Sequence, residues 1–224
     1  MRTSNLPNVN AATRWLPATG ILAALALALT GLISPPPPVA GAPASDIAIY
    51  YGSHHTGLEL ESVVDGVGAT LLVIFAAVFH TRIRSMPSLT ALAGAAILAA
   101  CIFVEVAAFQ ALAFRPNPDP IRAALPNDLQ SFTFQVGTFP TLLFLGAAAA
   151  AIFTSSSLPR WVGLAAAVAT ALQAVAWISF FAPSGILAAG AYPDILAFAA
   201  LLGWLVASSI AMSARRVPPR ETLG

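Results

Sequence analysis

Six apolar stretches, each about as long as a helix that crosses a bilayer, govern what this chain can become. A hydrocarbon core of roughly 30 Å asks for about 20 predominantly apolar residues in helical form. The stretches at 15–34, 58–80, 88–114, 132–154, 159–182 and 193–213 meet that requirement. Inside lipid no water satisfies the backbone, so every such stretch has to close its own hydrogen bonds as a helix. The expected fold is therefore all-α, a polytopic transmembrane bundle of six helices. It forms a single domain at 15–213, with tails at 1–14 and 214–224.

Composition agrees. Of 224 residues 58% are hydrophobic and only 8% charged, whereas a soluble domain carries roughly a quarter charged residues to keep its surface wet. Nine acidic and ten basic side chains can line the loops of a membrane bundle but cannot cover a globule. All the basic residues are Arg, and with the abundant Ala this is the coding habit of a GC-rich bacterial genome.

Punctuation marks the ends. Pro35 to Pro38 stop the first stretch, since proline cannot continue a helix, and begin a stiff spacer. Thr56-Gly57-Leu58-Glu59 reads as a capping box opening the second stretch. Arg115-Pro116-Asn117-Pro118 ends the third. Pro140 is expected to kink the fourth, and Pro193 suits the first turn of the sixth. Loops are expected at 35–56 and 115–131, both on the outer side.

Arginine placement orients the bundle, because cytoplasmic segments collect positive charge. With the N-terminus inside, Arg2, Arg14, Arg82, Arg84, Arg160, Arg215, Arg216 and Arg220 are cytoplasmic, and only Arg115 and Arg122 are external. Both termini then lie in the cytoplasm, and the expected location is a bacterial inner (plasma) membrane. Ala40-Gly41-Ala42 resembles a signal-peptidase site, but the preceding apolar run is long for a signal peptide, so the first helix is expected to stay.

Several function classes drop out. A net charge of +1 offers no basic patch for nucleic acid. The lone Cys101 can form no internal disulfide. There is no phosphate-binding loop with its Lys, no Gly-x-Ser-x-Gly elbow and no His-Glu-x-x-His helix, so no catalytic residue is assigned and no cofactor is implied. The partners expected are the lipid bilayer and a protein partner or second copy.

Ionisable groups within the membrane raise a functional hypothesis by default. Asp65 and Glu105 fall inside apolar stretches, and Asp194 sits at the head of the sixth. Gln110 and Gln135 belong to the same outer half. Asp65, Glu105, Gln110, Gln135 and Asp194 are the expected ligand- or ion-binding set. Carboxylates taken out of water are costly to ionise unless a cation pairs with them, and Arg115 and Arg122 are the candidate partners. His54, His55, Glu59 and Glu61, where the outer loop enters the second helix, have metal-binding ingredients without a defined ligand spacing. Structural roles compete with each of these. Asp194 suits the helix dipole, Glu59 suits a cap, and Glu105 and Gln110 suit interhelical hydrogen bonds. His80 and the four tryptophans, Trp15, Trp161, Trp177 and Trp204, read as interface or packing residues.

Ile49-Tyr50-Tyr51-Gly52-Ser53-His54-His55, the basic close from Phe79 to Arg84, and Leu158-Pro159-Arg160-Trp161-Val162-Gly163 resemble a family of small bacterial multi-pass membrane proteins. That family is catalogued as a domain of unknown function. The resemblance implies six helices and supplies no catalytic residues. The leading expectation is a non-enzymatic membrane protein that senses or binds a small polar ligand or ion, or serves as an accessory subunit. The alternatives are a small proton- or cation-coupled transporter and an intramembrane enzyme using outer-face His and carboxylates.

Overall fold

The computed structural model describes residues 15–114, 119–177 and 192–214. After a 3-10 turn at Leu16–Ala18 come α1 (Thr19–Ile33), α2 (Ala44–Ile83), α3 (Met86–Ala113), α4 (Pro120–Val136), α5 (Thr138–Phe153), α6 (Arg160–Ala176) and α7 (Tyr192–Ala214). α4 and α5 meet at Gly137 and run on as one rod. The described residues thus make six helical rods and no strand. Five are long and apolar enough to cross a membrane: Leu16–Ile33, Ala44–Ile83, Met86–Ala113, Arg122–Phe153 and Pro193–Ala214. Arg160–Ala176 is apolar but shorter, and the rest of the expected fifth stretch, to 182, lies outside the described residues. So do the tails at 1–14 and 215–224.

Two expected loops are corrected. The 35–56 loop shrinks to a short link, because α2 begins at Ala44 and runs for 40 residues. The 115–131 loop is helical from Pro120 onward. In the first case Ile47, Tyr51 and Leu58 form a stripe that buries against Phe109 and Leu112 of α3 and Ala123 of α4. That contact outweighs the loop-like composition between them. Within this helix the Ser53 hydroxyl is satisfied by donating to the Ile49 carbonyl at 2.7 Å. Thr56 and Glu59 therefore lie in mid-helix, and the expected capping box does not form there. A working box sits instead at the start of α3, where the Ser88 N–H donates to Ser85 Oγ and the Ser85 N–H to Ser88 Oγ. His80 Nδ1 lies 2.9 Å from Ser88 Oγ, so His80 braces this turn.

In the α4 segment, Pro120 opens the helix and Asp119 Oδ1 accepts from the Arg122 N–H at 3.1 Å. Pro126 is inside the helix and removes one backbone donor without ending it. The break expected at Pro140 falls three residues earlier, at Gly137, which leaves Pro140 in the first turn of α5, where its lost N–H matters least.

Arg82, Arg84 and Arg160 share one end of the bundle. α3 leaves that end as α5 arrives, and Gly94 lets the two backbones touch: a Cβ there would lie 2.7 Å from Phe144 N. α1 and α2 run antiparallel and in step, with Gly20 against Phe75 and Leu27 against Gly68. Toward the arginine end the core is aromatic. Trp204 of α7, 2% exposed, meets Phe75, Phe79 and Phe144 edge to face at 5.9, 6.0 and 5.3 Å. Its Nε1–H donates to the Val162 carbonyl at 3.2 Å, so Trp204 is a core anchor.

Candidate functional site

The polar residues gather at the opposite end, where α1, α2, α3 and α4 converge. Glu61 and Asp65 are four apart on α2 and share a face. The antiparallel register of α1 carries Thr30 beside Asp65 and Ser34 beside Glu61. Glu105 of α3 interacts electrostatically with both acids. At about 1.5 Å per residue, Asp65 and Glu105 lie ~27 Å and ~29 Å from the arginine-end termini of their helices. They are level with each other, with Glu61 one turn farther out.

α4 closes the cluster from the side. Gln130 Nε2 donates to Glu105 Oε1 at 2.9 Å. Ser131 Oγ donates to the Asn127 carbonyl at 3.1 Å and to Gln130 Oε1 at 3.4 Å. Tyr51 Oη donates to Asn127 Oδ1 at 3.2 Å. One α4 face thus binds α2 through Asn127 and α3 through Gln130, and Asn127 is wholly buried while Gln130 is 6% exposed. The link before α2 is pinned as well: Tyr50 Oη donates to the Pro35 carbonyl, and the Gly41 N–H donates to Asp128 Oδ1 at 3.0 Å.

The cluster carries acid without base. The groups acting on Glu61, Asp65 and Glu105 are the Ser34 and Thr30 hydroxyls, the Gln130 amide and one another; no described arginine is among them. Arg122 is exposed at the start of α4, and Arg115 lies outside the described residues. Among the described residues, four buried side-chain atoms have no partner within ordinary hydrogen-bond geometry, Ser34 Oγ, His55 Nδ1, Glu61 Oε2 and Asn127 Nδ2, although Ser34 and Glu61 lie close enough for the hydroxyl to act on the carboxylate.

The expected residues divide. Asp65 and Glu105 come together. Gln110 turns to another face, where it lines a groove of about 480 Å³ between α2 and α3 with Ser62, Gly66, Thr70 and Val106. Its Nε2 reaches the Glu59 carbonyl at 3.4 Å. Gln135 is five residues past Gln130, about 140° round the helix, and Gln130 holds the place beside Glu105. Asp194 is buried in the first turn of α7, which packs on α1 and α6. His54 stacks on Tyr50 with ring centroids 4.8 Å apart, and its Nδ1 lies 2.9 Å from the Tyr50 carbonyl. His54, His55, Glu59 and Glu61 all lie on α2, and among the described residues no three His, Cys, Asp or Glu side chains are grouped to hold a metal ion.

No protein-family model, curated protein or solved structure matches this chain. What the cluster does has to follow from its own chemistry. Ser34, Thr30, Tyr51, Asn127 and Gln130 were not legible as site residues. For α4 the signal exists: read as helix, Asn127, Gln130 and Ser131 fall at i, i+3 and i+4, the spacing of one face.

Proposed function

We propose that this chain is a multi-pass protein of a bacterial inner membrane, both termini cytoplasmic, that takes up a proton or a small polar ligand from the outer face at Glu61, Asp65 and Glu105. The observation that carries this reading is that three carboxylates from two helices act on one another with no described arginine among the groups acting on them. Acidic groups at the edge of a low-dielectric slab are not kept there by one another, since like charges repel strongly. They need a proton, a cation or a ligand's donors as counterpart. The bias of arginines toward one end supports the orientation, which puts the cluster outermost. The described residues make six helical rods, five of them long and apolar enough to cross a membrane, and the resemblance noted in the sequence implies six.

Uptake without passage is the better-supported form. Between the cluster and the arginine end lies the packed aromatic core of Phe75, Phe79, Phe144 and Trp204, and a through-route would have to open it. A sensing or accessory role, read out by a protein partner, fits a site that this core separates from the arginine end.

The test is thermal melting of the detergent-purified protein in sodium, lithium, calcium and choline chloride, each across mildly acidic to mildly alkaline pH. A species that binds the folded state at 100 times its Kd adds about 2.7 kcal/mol, several degrees in Tm for a chain of this size. At least one condition is expected to give such a rise, and Glu105→Gln or Asp65→Asn to abolish it. If Tm ignores every ion and pH, and the variants melt like the parent, the three acids are structural and the reading fails.

A further inference from the structure

A groove of about 460 Å³ opens at the arginine end, around the turn between α2 and α3, lined by His80, Thr81, Arg84, Ser85, Met86 and Leu89. It is remote from the acid cluster and stands independently of the uptake reading. Both helices are long and apolar enough to cross a membrane, so the short turn that joins them has to lie at a membrane boundary, at the level of the lipid headgroups. The groove has a polar wall and an apolar one. Met86 and Leu89, which form the apolar wall, are 74% and 45% exposed.

The polar wall is cationic and uncompensated. From 66 to 104 and from 129 to 193 the chain holds no Asp or Glu, so no described carboxylate on α2, α3, α5 or α6 answers Arg82, Arg84 and Arg160 at this end. Arg84 Nε donates to the Thr81 carbonyl at 3.3 Å, which holds the guanidinium along the groove and leaves its Nη groups without a partner among the described residues. Arg84 closes α2 at φ 52° and ψ 51°, and among the described residues it is the one non-glycine with a positive φ. Glycine is the usual occupant of such a helix end, since a Cβ is costly there. An arginine kept in that place is accounted for by what its side chain does. Two further donors stand beside it. Ser85 Oγ accepts from the Ser88 N–H at 3.3 Å, so its own hydrogen is available, and the Met86 N–H, first of α3, has no intrahelical acceptor.

We propose that this groove binds an anionic phospholipid, its phosphate held by Arg84, Ser85 and the Met86 N–H and its first acyl carbons lying along Met86 and Leu89. The planar fork of arginine takes two phosphate oxygens at once, and the positive end of α3 favours the same charge. The apolar wall selects the lipid over a free anion, which would leave Met86 and Leu89 uncovered. Retention of arginines on the cytoplasmic side accounts for charge at this end. It does not account for an arginine in a glycine's conformation beside a half-apolar groove. On the proposed orientation the lipid belongs to the cytoplasmic leaflet, whose surface is where basic pockets between helices meet anionic headgroups.

Thermal melting of the detergent-purified protein with added phosphatidylglycerol, phosphatidylcholine of the same acyl chains, or sodium phosphate tests this. Phosphatidylglycerol is expected to raise Tm by several degrees, well beyond the other two. Arg84→Gly should remove that increment while melting in detergent alone at or above the parent's temperature, because glycine suits the turn. Met86→Glu places a carboxylate beside the phosphate at an exposed position that the α3 dipole tolerates. It should remove the increment too, and it decides the matter if Arg84→Gly does not fold. Arg160→Gln, at the same end but outside the groove, should keep the increment. Equal stabilisation by phosphatidylcholine would overturn the recognition of charge, and equal stabilisation by sodium phosphate would overturn the lipid in favour of a free anion. An increment that survives both groove variants, or is lost equally in Arg160→Gln, would overturn the site. If none of the three additions raises Tm, the proposal fails, and the uptake reading at the other end is untouched.

Discussion

Gly94 and Gly31 are both glycines inside apolar helices, and their surroundings make opposite demands. At Gly94 an added Cβ would stand 2.7 Å from Phe144 N, 2.9 Å from Phe144 Cα and 3.1 Å from the Pro140 carbonyl oxygen, all backbone atoms that cannot swing aside. At Gly31 nothing lies within 4 Å. Gly94→Ala is expected to force α3 and α5 apart, at a cost of about 1–3 kcal/mol. Gly31→Ala should be neutral or stabilising by up to about 1 kcal/mol, since glycine is the poorer helix former. Thermal melting of the two variants in detergent checks the pair, and an equal effect at both sites would contradict the α3–α5 packing. In lipid this matters more than in water, because helices associate through close packing of small residues and not through apolar burial. The sequence shows both glycines alike; only the neighbour across the interface separates them.

At the scale of elements, α2 departs furthest from expectation. Its 40 residues span ~60 Å at about 1.5 Å per residue, twice the hydrocarbon core, so its first half stands above the slab and packs on α4. Ser53→Pro discriminates between loop and helix in that half. In a loop it would be tolerated, whereas inside α2 it removes a backbone bond and costs about 3 kcal/mol or more. A marked drop in Tm is expected. A pair of spin labels at Asp46 and Glu61 should also give a mean separation near ~22 Å with a narrow spread; a broad distribution would restore the loop. The error in reading 44–57 has a physical cause. Ser, His, Thr and Gly are poor helix formers in isolation, and the decisive stripe of Ile47, Tyr51 and Leu58 becomes effective only once Phe109, Leu112 and Ala123 are there to cover it. The proline-rich stretch before Gln130 likewise reads as loop in isolation and is helical from Pro120.

At the scale of the whole molecule, the bundle has two unlike ends. One holds Arg82, Arg84 and Arg160 with the aromatic core toward it; the other holds Glu61, Asp65 and Glu105 under the α2–α4 contact. The proposed orientation makes the acidic end external. In a Cys101→Ala background, Val39→Cys should react with a membrane-impermeant maleimide added to intact cells, and Ser156→Cys only after permeabilisation. The reverse pattern would invert the bundle and turn the proposed uptake toward the cytoplasm. Asp65 and Glu105 lie at nearly equal distances from the arginine end, close to the full thickness of the hydrocarbon core. On the proposed orientation they stand near its outer boundary, where exchange with water does not require crossing lipid.

The chain's own sequence determined that it is helical, roughly where the rods run and which end gathers arginine. Those properties are local: in a bilayer every backbone bond of a segment closes within that segment, so composition over some 20 residues is enough. It also marked Asp65 and Glu105 as costly groups. The tertiary structure decided which faces meet. It set Glu61, Ser34, Tyr51 and Gln130 around those two acids, turned Gln110 to another face, and carried α2 and α4 through stretches that read as loop. Such choices depend on contacts between residues far apart in the chain, at small-residue seams such as Gly94–Phe144 and Gly68–Leu27. No local window contains both sides of a seam.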